Sequence, residues 1–267
     1  MSIDEKKVRR RDGGDSKGKL VVVGIGPGPK ADRTHRAEEA IKNCGVVVGY
    51  KRYLENIKDL VSGKELVSSG MTKETERCRA AIEKAAEGAN VALISSGDAG
   101  IYGMAGLALE LAQELEQEDG RNVEIEIVPG VSAAMAASAK LGAPLMLDFA
   151  SISLSDLLVP WDDIKKKIEA AASADFVVAL YNPKSKKRIF QLKEAADIFR
   201  KYRQGATPVG VCTSVGYNGE EKIILTDLNR FEDEEIGMMT TIIIGNSSTR
   251  NVDGWMVTPR GYRGKRF

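Results

Sequence analysis

The sequence predicts an α/β protein of two α/β domains, with a mostly parallel sheet in the first and a mixed sheet in the second. Three observations predict it. Short runs such as Leu20–Val23 and Val91–Ile94 are apolar at every position, the pattern of parallel strands buried on both faces. Each run enters a glycine-rich turn followed by a helix-spaced segment, and this alternation recurs along the first half of the chain. Beyond Gly142-Ala143-Pro144 the pattern changes to neighbouring strands joined by turn signals. A domain boundary is therefore expected there, with residues 19–143 as the N-terminal domain and 144–267 as the C-terminal domain. Residues 1–18 are charged, rich in Gly and Asp, and expected to be disordered.

In chain order, the strand Leu20–Val23 runs into Gly24-Ile25-Gly26-Pro27-Gly28-Pro29, and a helix is expected over Thr34–Asn43. Val46–Val48 is a short strand ending at Gly49-Tyr50, and Lys73–Glu87 a helix stopped by Gly88. Val91–Ile94 is a strand, and Leu107–Glu116 a helix. After a turn at Gly120, Val123–Val128 forms a strand ending in Pro129-Gly130. Ser132 stands as the N-cap of the alanine-rich helix Ala133–Lys140, which Gly142 ends. Asp148–Trp161, rich in Ser and Leu, reads as an irregular segment, either ligand-facing or a plain connection. Then come a helix Ile164–Ser173, a strand Phe176–Leu180 ending in Tyr181-Asn182-Pro183, and a helix Arg188–Arg203. The strands Val209–Thr213 and Lys222–Leu225 flank an Asn218-Gly219 hairpin turn, and Thr240–Ile244 is the last strand. The tail from Asn251 is basic.

Composition removes several function classes. Lys and Arg number 39 against 38 Asp and Glu, so a net charge of +1 provides no global field for nucleic acid or membrane. No apolar run approaches the ~20 residues of a membrane span, and Met1–Lys19 lacks the apolar stretch of a signal peptide. Cys44, Cys78 and Cys212 lie far apart and His35 is the single histidine, which argues against a disulfide framework and against a metal site on the protein. A cytoplasmic setting is expected. The first glycine loop invites a dinucleotide reading, but the third glycine of GxGxxG falls on Pro29. No acid follows the second strand where a ribose would be held.

The chain is organised around Ser95-Ser96-Gly97-Asp98-Ala99-Gly100-Ile101-Tyr102-Gly103-Met104-Ala105-Gly106. Dense glycine at the end of a strand lets backbone approach a ligand closely, so this stretch reads as a binding loop; tight packing alone is the alternative. Asp98 either contacts a ligand or caps the turn that follows it.

Gly24–Gly28, Ser96–Gly103 and Val128-Pro129-Gly130-Val131-Ser132-Ala133-Ala134 occur in this order in the tetrapyrrole methylases, which the chain resembles over about residues 19–264. Asp148–Asp156, Ala174–Pro183, Ile243–Ser247 and Met256–Tyr262 are similar to the branch that methylates C17 of precorrin-3B in cobalamin biosynthesis. Ala99 agrees with that branch, where many other members carry proline.

The resemblance implies a homodimeric methyltransferase with S-adenosylmethionine in a cleft between the two domains and S-adenosylhomocysteine as product. It implies cofactor contacts at Pro27, Ser96, Gly97, Asp98, Ile101, Ser132 and Ala133, joined by Tyr181 and Val215 from the second domain. Ile101 and Tyr181 would cover the adenine or belong to the interdomain core. The implied substrate is a tetrapyrrole bearing acetate and propionate groups, cobalt-free or cobalt-loaded. Lys51, Arg52 and Arg188, with Arg36, Lys184 and Lys187, offer it positive charge, or else form solvated helix faces. Because C17 enzymes also contract the macrocycle, Asp148, Ser153, Ser155 and Asp156 become the acid–base or hydrogen-bonding candidates. The competing readings are a methylase acting at another ring carbon, a nicotinamide oxidoreductase and a non-catalytic carrier.

Overall fold

A computed structural model describes residues 18–70, 72–217 and 219–262. The expected disordered N-terminus lies outside them except for Gly18, and so does Asn218 of the expected hairpin turn. The chain divides into two compact units. The first holds the residues up to Val23 together with Arg36–Ser95 and Met104–Val128. The second holds Gly24–His35, Ser96–Gly103 and everything from Pro129 onward.

The first unit is built from β1 (Lys19–Gly24), α1 (His35–Lys42), β2 (Val46–Tyr50), α2 (Lys51–Glu55), β3 (Glu65–Ser69), α3 (Glu74–Ala86), β4 (Val91–Ser95), α4 (Ala105–Asp119) and β5 (Glu124–Val128). Its five strands lie in the order β3-β2-β4-β1-β5. The pairs β2–β3, β2–β4 and β1–β5 are parallel. β1, β2 and β4 bury nearly every residue, as strands covered on both faces must. Two elements escaped the sequence reading. β3 is an edge strand of mixed polarity and α2 a single short turn, so neither carries a clear period. Glycines stop the longer helices as expected: Gly120 is the left-handed C-cap of α4 at φ +66°, and Gly88 follows α3 at φ +102°.

The second unit contains α5 (Ala133–Leu141), β6 (Gly142–Ala143), β7 (Phe149–Ser153), α6 (Trp161–Ser173), β8 (Val177–Tyr181), α7 (Gln191–Tyr202), β9 (Pro208–Thr213), β10 (Lys222–Asp227), β11 (Thr240–Ile244), β12 (Arg250–Val252) and β13 (Trp255–Val257). The order β10-β9-β11-β8-β7 is a mixed sheet, parallel only between β7 and β8. Strand periodicity splits its side chains between two cores. Ile242 and Ile244 pack with Val178, Leu180 and Phe199 under α6 and α7, whereas Ile243 packs with Val177, Cys212 and Ala137 beneath α5. β12 and β13 form a hairpin on β6, a use of the tail that its basic composition does not announce.

Two expectations need correction. Asp148–Trp161 is not irregular throughout, because Phe149–Ser153 pairs with β8 as an edge strand; its alternation of large and small residues reads as neither a buried nor an amphipathic strand. α7 begins at Gln191 rather than Arg188. The hydroxyl of Ser185 accepts from the backbone N–H groups of Lys187 and Arg188, and this turn ends the helical path before it reaches Arg188.

One buried arginine ties one end of this unit together. Arg203 donates to the carbonyls of Ala172 (2.7 Å), Phe176 (3.2 Å) and Gly245 (3.4 Å) and pairs with Asp175 at 3.0 Å. Asp175 in turn accepts from the N–H of Ser247 at 3.0 Å.

Candidate active site

The glycine loops meet in the second unit, backbone on backbone. Gly26 and Gly97 exchange hydrogen bonds of 3.0 and 2.9 Å. A Cβ on Gly130 would stand 2.2 Å from the Gly97 carbonyl oxygen and 2.7 Å from that of Gly24. No side chain fits in that contact, so part of the glycine density serves packing. Gly97 differs: a Cβ there would meet nothing closer than Ala133 N, at 3.7 Å, and its requirement is its left-handed φ of +62°.

Asp98 engages both of its oxygens with backbone. Oδ1 accepts from the N–H of Gly100 at 2.8 Å, capping the local turn, and Oδ2 accepts from that of Gly130 at 3.0 Å. The capping reading of Asp98 therefore describes its geometry, extended by a second anchor on a loop 32 residues away.

These anchors set the N-terminus of α5 beside Gly97. Ser132 is the N-cap, and its hydroxyl accepts from Met135 N at 3.4 Å. The N–H of Ala134 is taken by the Tyr181 hydroxyl at 2.9 Å. Among the described residues, the N–H of Ala133 has no protein acceptor. Burial raises the pKa of the Tyr181 phenol, keeping it protonated at neutral pH. The Tyr102 ring lies 4.9 Å from that of Tyr181, and its hydroxyl donates to the Ser151 carbonyl of β7 at 2.9 Å.

Three non-glycine residues here adopt left-handed φ: Tyr102 (+53°), Asn182 (+50°) and Ser214 (+49°). Such strain persists where the surroundings fix the backbone, and it clusters at functional sites. Tyr102 and Asn182 had no role in the sequence reading, although both lie inside motifs singled out there.

The serine-rich strand carries a second polar group. Ser153 Oγ accepts from Asn182 Nδ2 (3.0 Å) and Ser155 N (3.2 Å). Arg188 is buried, with Nε donating to the Asn182 carbonyl at 2.7 Å and Nη1 to Ser155 Oγ at 3.3 Å. Asp156 accepts from Gln191 Nε2 at 2.8 Å, which fixes the start of α7. Asp148 lies apart from this group, exposed at the head of β7.

The remaining candidates divide by unit. Pro27 is buried in the first glycine loop, Ser96 is half-buried and Ile101 is exposed. Val215 packs into the core beneath α5, and its neighbour Gly216 is closed against Pro29, where a Cβ would stand 2.3 Å from Cδ. Lys184 and Lys187 are exposed on the loop before α7. Lys51 and Arg52 sit on α2 of the first unit. Arg36, also in the first unit, pairs with Glu126 at 2.6 Å. Burial pushes the thiols up, Cys44 to about 11 and Cys78 and Cys212 to about 12, so none offers a thiolate.

The loops thus form a cradle of small residues and backbone donors, with acids reserved for holding it in shape. A family model of the tetrapyrrole (corrin/porphyrin) methylases matches residues 19–232. The chain belongs to that family. Among tetrapyrrole methylases it is 50% identical over 243 residues to a probable cobalt-factor III C(17)-methyltransferase of Salmonella typhimurium, covering 91% of this chain and 99% of that one. It is 49% identical over 249 residues to a cobalt-factor III methyltransferase of Priestia megaterium; there the match covers 93% of this chain but spans only 46% of the relative. The solved structure of the methyltransferase CobJ superposes with a TM-score of 0.85 at 34% identity, covering 91% of this chain and all of that one.

Proposed function

We propose that this tetrapyrrole methylase transfers a methyl group from S-adenosylmethionine to C17 of a cobalt-factor III or precorrin-3B type substrate, with ring contraction. The observation that carries the reading is the near-complete match to the Salmonella C(17)-methyltransferase, 99% of whose length is covered. The cobalt-loaded substrate is favoured, because both relatives described carry cobalt-factor III in their names. Cobalt then travels with the substrate. The protein acts as a cytoplasmic homodimer, a state that the exposed side chains of Leu157, Leu158, Ile189 and Phe190 on the second unit are suited to serve.

The residues present fit the cofactor. The Ala133 N–H and the α5 N-terminus suit its carboxylate or ribose oxygens, and the bare backbone at Gly97 lets it approach closely. Pro27, Ser96, Ile101, Ser132 and Tyr181 complete the set of contacts. Asp98 serves by holding Gly100 and Gly130 in place. The bound cofactor supplies a methyl group already activated by its sulfonium. The protein's task is then alignment, for which a rigid cradle matters more than an acid or base. Ring contraction needs proton movement; of the candidates, Ser153 and Ser155 are gathered beside Arg188, whereas Asp156 is taken by Gln191 and Asp148 lies apart.

The test is incubation of the purified protein with S-adenosylmethionine and either cobalt-factor III or precorrin-3B, followed by mass spectrometry. A gain of one methyl group with formation of S-adenosylhomocysteine is expected, faster with the cobalt-loaded substrate. Absence of methyl transfer to both substrates, by protein that binds S-adenosylhomocysteine, would overturn the reading.

A further inference from the structure

Arg188 is a buried cation with no direct ion pair among the described residues. Only 6% of the residue is exposed, yet its protein acceptors are neutral: the Asn182 carbonyl and the Ser155 hydroxyl. Among the described residues no carboxylate forms an ion pair with it; the charge of nearby Asp156 favours its protonated form, but the Asp156 carboxylate hydrogen-bonds to Gln191. Two other interior arginines show what a structural role looks like in this fold. Arg203, 8% exposed, has Asp175 at 3.0 Å and carbonyls around its fork. Arg77, 5% exposed, has Glu74 at 3.5 Å.

A guanidinium stays charged whatever its surroundings. Burial without a direct ion pair is costly: it lowers the affinity of Arg188 for its proton, and the charge of Asp156 offsets only part of that. The serine hydroxyls beside it have donors to offer as well. Ser155 Oγ accepts from Arg188, and Ser153 Oγ accepts from Asn182 and from Ser155 N, so the proton of each hydroxyl is left to donate. Nη2 of Arg188 has no protein acceptor among the described residues, and it is not among the fully enclosed atoms that lack one. The left-handed backbone of Asn182, at φ +50°, holds the carbonyl that orients the guanidinium.

We propose that Arg188, with the hydroxyls of Ser153 and Ser155, is a subsite for one carboxylate of a polycarboxylate ligand. On the reading of the preceding section, which this proposal extends, that carboxylate is an acetate or propionate arm of the tetrapyrrole. The serines then orient the substrate, and Arg188 fixes which arm enters.

The test titrates uroporphyrin III, a tetrapyrrole polycarboxylate, and citrate, a polycarboxylate without the ring, into wild-type protein, Arg188→Met and Arg188→Lys. S-adenosylhomocysteine binding and the thermal transition are followed in parallel. Arg188→Met should bind uroporphyrin about tenfold or more weakly, the loss expected for one charge-assisted bond. Its affinity for S-adenosylhomocysteine should hold, and Arg188→Lys should recover part of the loss. Uroporphyrin binding unchanged in folded Arg188→Met overturns the subsite and leaves the tetrapyrrole reading standing. Citrate binding that depends on Arg188, with no uroporphyrin binding, keeps the subsite and sinks the tetrapyrrole reading. If Arg188→Met does not fold, a Ser153→Ala/Ser155→Ala variant decides. Weaker uroporphyrin binding supports the subsite, and unchanged binding overturns it.

Discussion

The Tyr181 hydroxyl accepts a hydrogen bond from the backbone N–H of Ala134 at 2.9 Å, so a residue at the end of β8 completes the N-terminal cap of α5. Ser132 satisfies the next N–H of the same turn. Tyr181→Phe keeps the ring and its contact with Tyr102 but leaves the Ala134 N–H without an acceptor. Loss of a cap of this kind costs about 1 kcal/mol. Differential scanning calorimetry should show that loss, and isothermal titration should show weaker S-adenosylhomocysteine binding because the helix terminus is less fixed.

Gly130→Ala should be more damaging than Gly97→Ala. The first places a methyl 2.2 Å from a carbonyl oxygen, whereas the second meets open contact distances and suffers only its φ of +62°. Overpacking costs roughly 1–3 kcal/mol and moves backbone, while the left-handed penalty for alanine is about 1–2 kcal/mol. Melting temperatures of the two variants should rank accordingly, and both should weaken S-adenosylhomocysteine binding, Gly97→Ala because its methyl stands where the cofactor approaches.

Asp98→Asn should loosen the loop that begins at Pro129. The carboxylate accepts from Gly100 and Gly130, and an amide offers one acceptor oxygen for those two donors. An N–H left unsatisfied costs about 1–3 kcal/mol. Hydrogen exchange should report faster exchange at Gly130 and Ser132 with the two sheets unchanged.

Acid should weaken the first unit through Glu126. Arg36 and then Lys19 hold its carboxyl below the ordinary 4.5. Because the folded-state value is lowered, the contribution is complete above about 4.5 and disappears as pH falls through the lower folded value. Exposed pairs of this kind contribute about 0.2–1 kcal/mol. Glu126→Gln should be less stable than wild type by that order at neutral pH, with the two converging in acid, as measured by urea unfolding.

Much of this arrangement was legible from local chemistry. Ser132 before an alanine-rich run announced the cap of α5, Gly142 its end, and the uniformly apolar runs of β1 and β4 their two-sided burial. What could not be read was long-range. Oδ1 of Asp98 bonds two residues away, which a turn predicts, but Oδ2 reaches Gly130, which only the fold brings near. Arg188 looked like the exposed start of a helix because its neighbours are lysines, and its burial depends on Ser155, 33 residues earlier, being brought beside it. β7 was missed because Phe-Ala-Ser-Ile-Ser is too polar for a central strand and lies at an edge.

The Arg203 tie has a consequence for how the second unit comes apart. The carbonyls it holds belong to the end of α6 (Ala172), the entry to β8 (Phe176) and the residue after β11 (Gly245). These ends would ordinarily fray independently and at little cost. Sharing one guanidinium, they are coupled, because releasing any of them leaves a buried donor short of an acceptor. That end of the sheet therefore has a shared anchor, far along β8 from Tyr181, and the strand that carries the cap of α5 is held at its other end.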